Sequence, residues 1–98
     1  MLFLNAGYAQ CGAFVDQTDA DVQATVAVNA LHPIYTAKVL IDQMINRGKL
    51  SALVITSSGL GALPVSGILD YSCTKSFVNF LAQGLSFELE GKVDCLSW

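Results

Sequence analysis

Tyr71 and Lys75 stand four residues apart in the run Leu69-Asp70-Tyr71-Ser72-Cys73-Thr74-Lys75-Ser76-Phe77. On a helix, positions i and i+4 lie on one face, so the phenol and the ammonium would share a site. A free phenol titrates near pH 10 and is a poor base at neutral pH. A cation within a few ångströms favours the phenolate and moves Tyr71 toward useful proton transfer. Ser58 could hydrogen-bond a substrate oxygen and hold it beside that phenol. Asn29 could hold a water linking Lys75 to solvent, provided its backbone leaves the helical ladder. Together these groups protonate an oxygen while another species attacks its carbon. The sequence offers no metal-ligand constellation and no nucleophile–base pair. The attacking species must therefore come from a cofactor.

The elements that would position these groups follow a regular order. Residues 1–4 read as a buried strand, closed by Asn5-Ala6-Gly7, and residues 8–17 as a loop. Thr18 and Asp21 have the spacing of a capping box, and a helical pattern runs from there to about Asn46. Pro33 lies inside that pattern and should bend or interrupt it near Asn29, because proline removes a backbone donor and hinders the preceding turn. Arg47-Gly48 supplies the cation and glycine that suit a helix C-terminus. Residues 51–56 form the second strand, residues 57–70 a Gly-rich loop, residues 71–89 a second long helix, and residues 93–98 a strand just beginning. Strand, helix, strand, helix, strand points to parallel α/β architecture, which binds ligands beyond the carboxyl ends of its strands. Asn5 and Ser58 fall at two such ends, and Tyr71 and Lys75 open the helix after the second.

Bulk composition narrows the class. The 98 residues are 53% hydrophobic and 13% charged, with a net charge of −3, and the mean hydropathy is +0.52. There is no basic patch to neutralise phosphates, so no nucleic-acid partner is expected. No uninterrupted apolar run approaches the ~20 residues of a membrane helix. Cys11, Cys73 and Cys95 lie far apart without CxxC spacing, which suggests free thiols and no metal site. Apolar strands of this kind need cover on both faces. Residues 1–98 are therefore expected to be the central part of a larger domain.

Asn5-Ala6-Gly7, Asn29, Ser58 and Tyr71-x-x-x-Lys75 resemble the short-chain dehydrogenases/reductases, with Ser58 thirteen residues before Tyr71. The resemblance implies a Rossmann-like doubly wound parallel sheet and NADP- or NAD-dependent carbonyl reduction. It makes Tyr71 the general acid/base and gives Lys75 two tasks, tuning the phenol and binding the nicotinamide ribose. Ser58 orients the carbonyl and Asn29 supports the proton relay, while Asn5, Ala6 and Gly7 pack beside the cofactor. The family's Gly-rich cofactor turn and its C-terminal substrate region are not in these residues. The segments around Ser58 and Tyr71 look most like the hydroxysteroid dehydrogenase and very-long-chain 3-oxoacyl-CoA reductase branch. That implies a lipid-like carbonyl substrate, such as a 3-oxoacyl-CoA or steroid ketone, and the endoplasmic reticulum.

Other features read more plainly. Gly59-Leu60-Gly61 lacks a third glycine, which would fall at Pro64, and fits a pocket-lining loop better than a dinucleotide turn. Ser66 has no G-x-S-x-G frame, and His32 reads as structural. Cys73 points away from the Tyr71–Lys75 face. Asp16, Asp19 and Asp21 read as a solvated helix start, and Asn5 equally as a strand-end turn residue or a ligand group. Phe77, Val78, Phe80, Leu81, Leu85, Phe87 and Leu89 spread too widely around the second helix to face one sheet. They point to a homo-oligomer formed through the two long helices. The competing reading is a truncated, inactive remnant that serves as a protein-association module.

Overall fold

The computed structural model describes residues 1–9, 11–58 and 66–97. The Gly59-Leu60-Gly61 loop, Pro64 and Trp98 lie outside them. Strand β1 (Leu2–Leu4) leads through a single 3-10 turn (Phe14–Asp16) to helix α1 (Asp19–Val26). A π-helical turn (Ala27–Leu31) joins α1 to α2 (His32–Asn46). Then come β2 (Ser51–Ile55), α3 (Leu69–Glu88) and β3 (Val93–Ser97).

The strands form one parallel sheet in the order β1-β2-β3. Both crossovers step the same way across the sheet. Right-handed connections therefore put the intervening helices on one face. The core sits there: Leu4, Leu53, Ile55, Val93 and Cys95 from the strands meet Ala37 and Met44 of α2 and Val78 and Ala82 of α3. The opposite face carries Phe3, Val54 and Leu96 in a single register row. Val54 is buried between its neighbours, while Phe3 and Leu96 stay 58% and 57% exposed.

Local chemistry sets the helix boundaries. The Thr18 hydroxyl accepts from the Asp21 N–H at 3.1 Å and the Asp21 carboxylate accepts from the Thr18 N–H at 3.3 Å, which completes the expected capping box. Pro33 acts where expected, but the result is a widened turn more than a bend. A proline ring crowds the carbonyl four residues back, here that of Asn29, and has no N–H to offer it. The chain takes up an extra residue, and the His32 N–H reaches back five positions to the Ala27 carbonyl. His32 therefore opens α2 and is exposed. Gly48, at φ +69°, takes the left-handed position that ends α2.

Helix α3 starts at Leu69, two residues before the expected Tyr71. Asp70 explains the shift: its carboxylate accepts from the Tyr71 N–H at 3.0 Å and supplies negative charge in the first turn. The expected strand ends also contract, to Leu2 at the start of β1 and Ile55 at the end of β2. Even so, the Thr56 N–H continues the ladder to the Leu4 carbonyl at 2.9 Å.

Candidate active site

Where β1 and β2 end and α3 begins, an open cleft of about 340 Å³ is lined by Asn5, Gly7, Tyr8, Ala9, Thr56, Ser57, Tyr71 and Lys75. It lies at the carboxyl edge of a parallel sheet, the edge that binds ligands in this architecture. The two residues of α3 enter it side by side, with the Lys75 Nζ 5.4 Å from the centre of the Tyr71 ring. Lys75 is only 3% exposed. Its Nζ donates to the Thr56 carbonyl at 3.2 Å. Its partners among the described residues are thus one neutral carbonyl and one aromatic face. Burial pushes its amine below the ordinary value of 10.5. The protonated form bears that cost, so folding stability rises with pH between the lowered value and 10.5 and falls as pH drops through that window.

Asn29 is 1% exposed in the π-helical turn, behind the cleft wall. Its carboxamide pairs with the backbone of Tyr8 in both directions. The Tyr8 N–H donates to Oδ1 at 2.8 Å, and Nδ2 donates to the Tyr8 carbonyl at 2.6 Å. The side chain is held by this clamp, one bond accepted and one donated, which leaves the main-chain carbonyl as a second polar group of Asn29 for a relay. The clamp fixes the loop that carries Gly7. A Cβ on Gly7 would stand 3.6 Å from the Lys75 Nζ and 3.8 Å from the Asn29 Oδ1. Gly7 does not have a positive φ. Space beside the ammonium, more than conformation, is what its missing side chain provides.

The structure thus brings Asn5, Gly7, Tyr71 and Lys75 into one cleft. Ala6 is exposed between two lining residues, and Ser58 is half-buried one residue beyond the lining residue Ser57. Sequence reasoning missed Thr56 and Tyr8. Thr56 directly follows the last residue of β2 and Tyr8 directly follows Gly7. Their positions at strand ends were the available signal. Cys73 is exposed, as its helical angle requires, and no group of three metal-ligating side chains occurs among the described residues. The lining is rich in hydrogen-bond donors: the Tyr71 and Ser57 hydroxyls, the Lys75 ammonium and the Asn5 amide. It suits a ligand that presents oxygen atoms.

Residues 1–96 match the family model described as short chain dehydrogenase. The chain belongs to the short-chain dehydrogenase family. Over 81 residues it is 35% identical to the human very-long-chain 3-oxoacyl-CoA reductase, a stretch covering 81% of this chain and 26% of that enzyme. A bulky-bulky ketone specific alcohol dehydrogenase from Comamonas testosteroni superposes with a TM-score of 0.91 at 34% identity, over 98% of this chain and 39% of its own. A short-chain dehydrogenase from Sphingobium yanoikuyae in complex with NADPH gives 0.90 at 32% identity, over 98% and 38%. The chain thus spans about a quarter of the curated reductase and about two-fifths of these solved structures. The parallel α/β Rossmann-like fold of the family and the relation to the very-long-chain reductases both agree with the sequence reading. No helix among the described residues is long and apolar enough to cross a membrane.

The Asn29 clamp leads to a stability prediction. Asn29→Ala removes the carboxamide that bonds both the N–H and the carbonyl of Tyr8 and should lower stability by about 1–3 kcal/mol. Asn29→Asp should not restore it, because it sets a carboxylate oxygen against the Tyr8 carbonyl. Urea unfolding midpoints measure both, and an unchanged midpoint for Asn29→Ala would mean the clamp carries nothing.

Proposed function

We propose that this segment holds the proton-transfer site of a nicotinamide-dependent carbonyl reductase. The observation that carries this reading is the placement of Tyr71 and the buried Lys75 together in a cleft at the carboxyl edge of the sheet. Tyr71 gives its phenolic proton to the carbonyl oxygen of the substrate. Lys75 holds positive charge against the ring and favours the phenolate that remains. Ser58 hydrogen-bonds the same oxygen, and the Asn29 main-chain carbonyl, which has no N–H to meet four residues on at Pro33, supports a water path from Lys75. Asn5, Ala6, Gly7, Tyr71 and Lys75 would hold the nicotinamide and its ribose. The space left open at Gly7 and the donors around it fit such a group. When bound, the reduced nicotinamide, of NADP or NAD, supplies the hydride.

Similarity to the very-long-chain 3-oxoacyl-CoA reductases favours a lipid-like ketone or 3-oxoacyl-CoA as substrate, and the endoplasmic reticulum as location. The apolar row of Phe3, Val54 and Leu96 supports a role for these residues inside a larger, doubly wound domain that covers the second face of the sheet.

The catalytic reading predicts a graded pattern in residues 1–96 completed by the flanking parts of the Comamonas testosteroni dehydrogenase. Tyr71→Phe should abolish carbonyl reduction with cofactor affinity nearly unchanged, because the ring still packs and only the transferable proton is lost. Lys75→Met should damage both. Ser58→Ala should fall between, losing about 2.7–4 kcal/mol of transition-state stabilisation. Steady-state rates and cofactor dissociation constants decide the matter. Turnover by Tyr71→Phe close to the parent's would remove Tyr71 from the mechanism.

The outward faces of α2 and α3 support self-association. Tyr35 and Val39 are each 65% exposed, Phe80 is 75% and Phe87 is 80% exposed, and both pairs lie at helical spacing. Leu85 instead packs on the core. Phe80→Glu and Phe87→Glu in the completed chain should shift sedimentation toward monomer. No shift in either would assign those faces to solvent.

A further inference from the structure

Thr56 connects three parts of the cleft wall. Its N–H continues the sheet to the Leu4 carbonyl at 2.9 Å. Its carbonyl accepts from the Lys75 Nζ at 3.2 Å, and its hydroxyl donates to the Asn5 Oδ1 at 2.7 Å. All three groups of one residue thus fix the end of β1, the ammonium of α3 and a carboxamide on the cleft rim. The hydroxyl bond has a directional consequence. A carboxamide held by its oxygen turns its NH2 away from that partner. Asn5 lines the cleft, and its Nδ2 makes no hydrogen bond to the described residues.

We propose that Thr56 is a positioning residue. It locks the Asn5 carboxamide so that the amide N–H groups face the cleft beside Lys75, forming a paired donor edge for the hydroxyls of a nicotinamide ribose. The ligand half of this proposal rests on reading the cleft as a nicotinamide site, whereas the lock itself does not. Without the hydroxyl, the Asn5 side chain is exposed and free to rotate, and either its oxygen or its nitrogen can face the ligand. The donor edge then forms only part of the time.

The test uses the isotopically labelled chain, with reduced nicotinamide mononucleotide as the probe, since that half-cofactor does not need a pyrophosphate turn. In the free chain the Asn5 side-chain amide should be restrained on the nanosecond timescale. Thr56→Val, which keeps the β-branched shape, should release it, and Thr56→Ser should hold it. Chemical-shift titration should place the probe at Asn5, Tyr71 and Lys75. Affinity should fall about three- to tenfold in Thr56→Val, the worth of one net hydrogen bond, and return in Thr56→Ser. In an Asn5→Ala background Thr56→Val should have no further effect, because the hydroxyl acts through Asn5. A purely structural role for Thr56 would weaken both backgrounds equally and overturn the proposal. An Asn5 amide as restrained in Thr56→Val as in the parent would also overturn it. If the amide behaves as expected but the probe shifts nothing in the cleft, the nicotinamide reading fails and the donor-edge role with it, while the lock stands.

Discussion

The site depends on keeping one ammonium largely out of water with only neutral partners. A buried charge is tolerated when polar groups meet it, and here the Thr56 carbonyl and the Tyr71 ring do so. Both partners must arrive from different elements with little error. The Thr56 carbonyl is held by the continuation of the β1–β2 ladder, and the Tyr71 ring by one turn of α3. Parallel pairing of β1 with β2 therefore sets the chemistry as well as the fold. A slip of one residue would exchange the core and open faces of the strand and move Thr56 away from Lys75.

A second chain of causes begins at Pro33. Its missing N–H and its ring widen the helix by one residue at Ala27–Leu31, which turns Asn29 inward. The Asn29 carboxamide then acts as a strand partner for Tyr8 and seats Gly7 beside Lys75. A break in one element thereby shapes a loop more than twenty positions earlier in sequence. Local irregularity of this kind is common where backbone carbonyls are needed for a ligand or a water path.

The parts of this arrangement that follow from periodicity were legible in the sequence. Strand and helix alternation, the Thr18–Asp21 capping box, the Gly48 stop and the shared face of Tyr71 and Lys75 all rest on local spacing. What depends on contacts between distant segments was not. The Asn29–Tyr8 clamp spans 21 positions and the Thr56–Asn5 bond 51, and no local pattern marks either pair. Pro33 foretold a disturbance near Asn29, but local spacing does not distinguish a kink from a widened turn, and the contacts of that turn with α3 and the Tyr8 loop are made between distant segments. The early start of α3 goes with the Asp70 carboxylate accepting from the adjacent N–H, a first-turn contact that apolar periodicity does not mark.

The most direct measurement is an NMR pH titration of the Lys75 side chain, following its ε-methylene carbon and protons in the labelled chain. Burial over the Tyr71 ring predicts ε-protons moved upfield by the ring current and a midpoint below the ordinary 10.5. Both signatures should come from the same residue, and the upfield shift should vanish in Tyr71→Leu. A midpoint at or above 10.5, with ε-protons at their free-solution position, would put the ammonium in water away from Tyr71 and contradict the site described here.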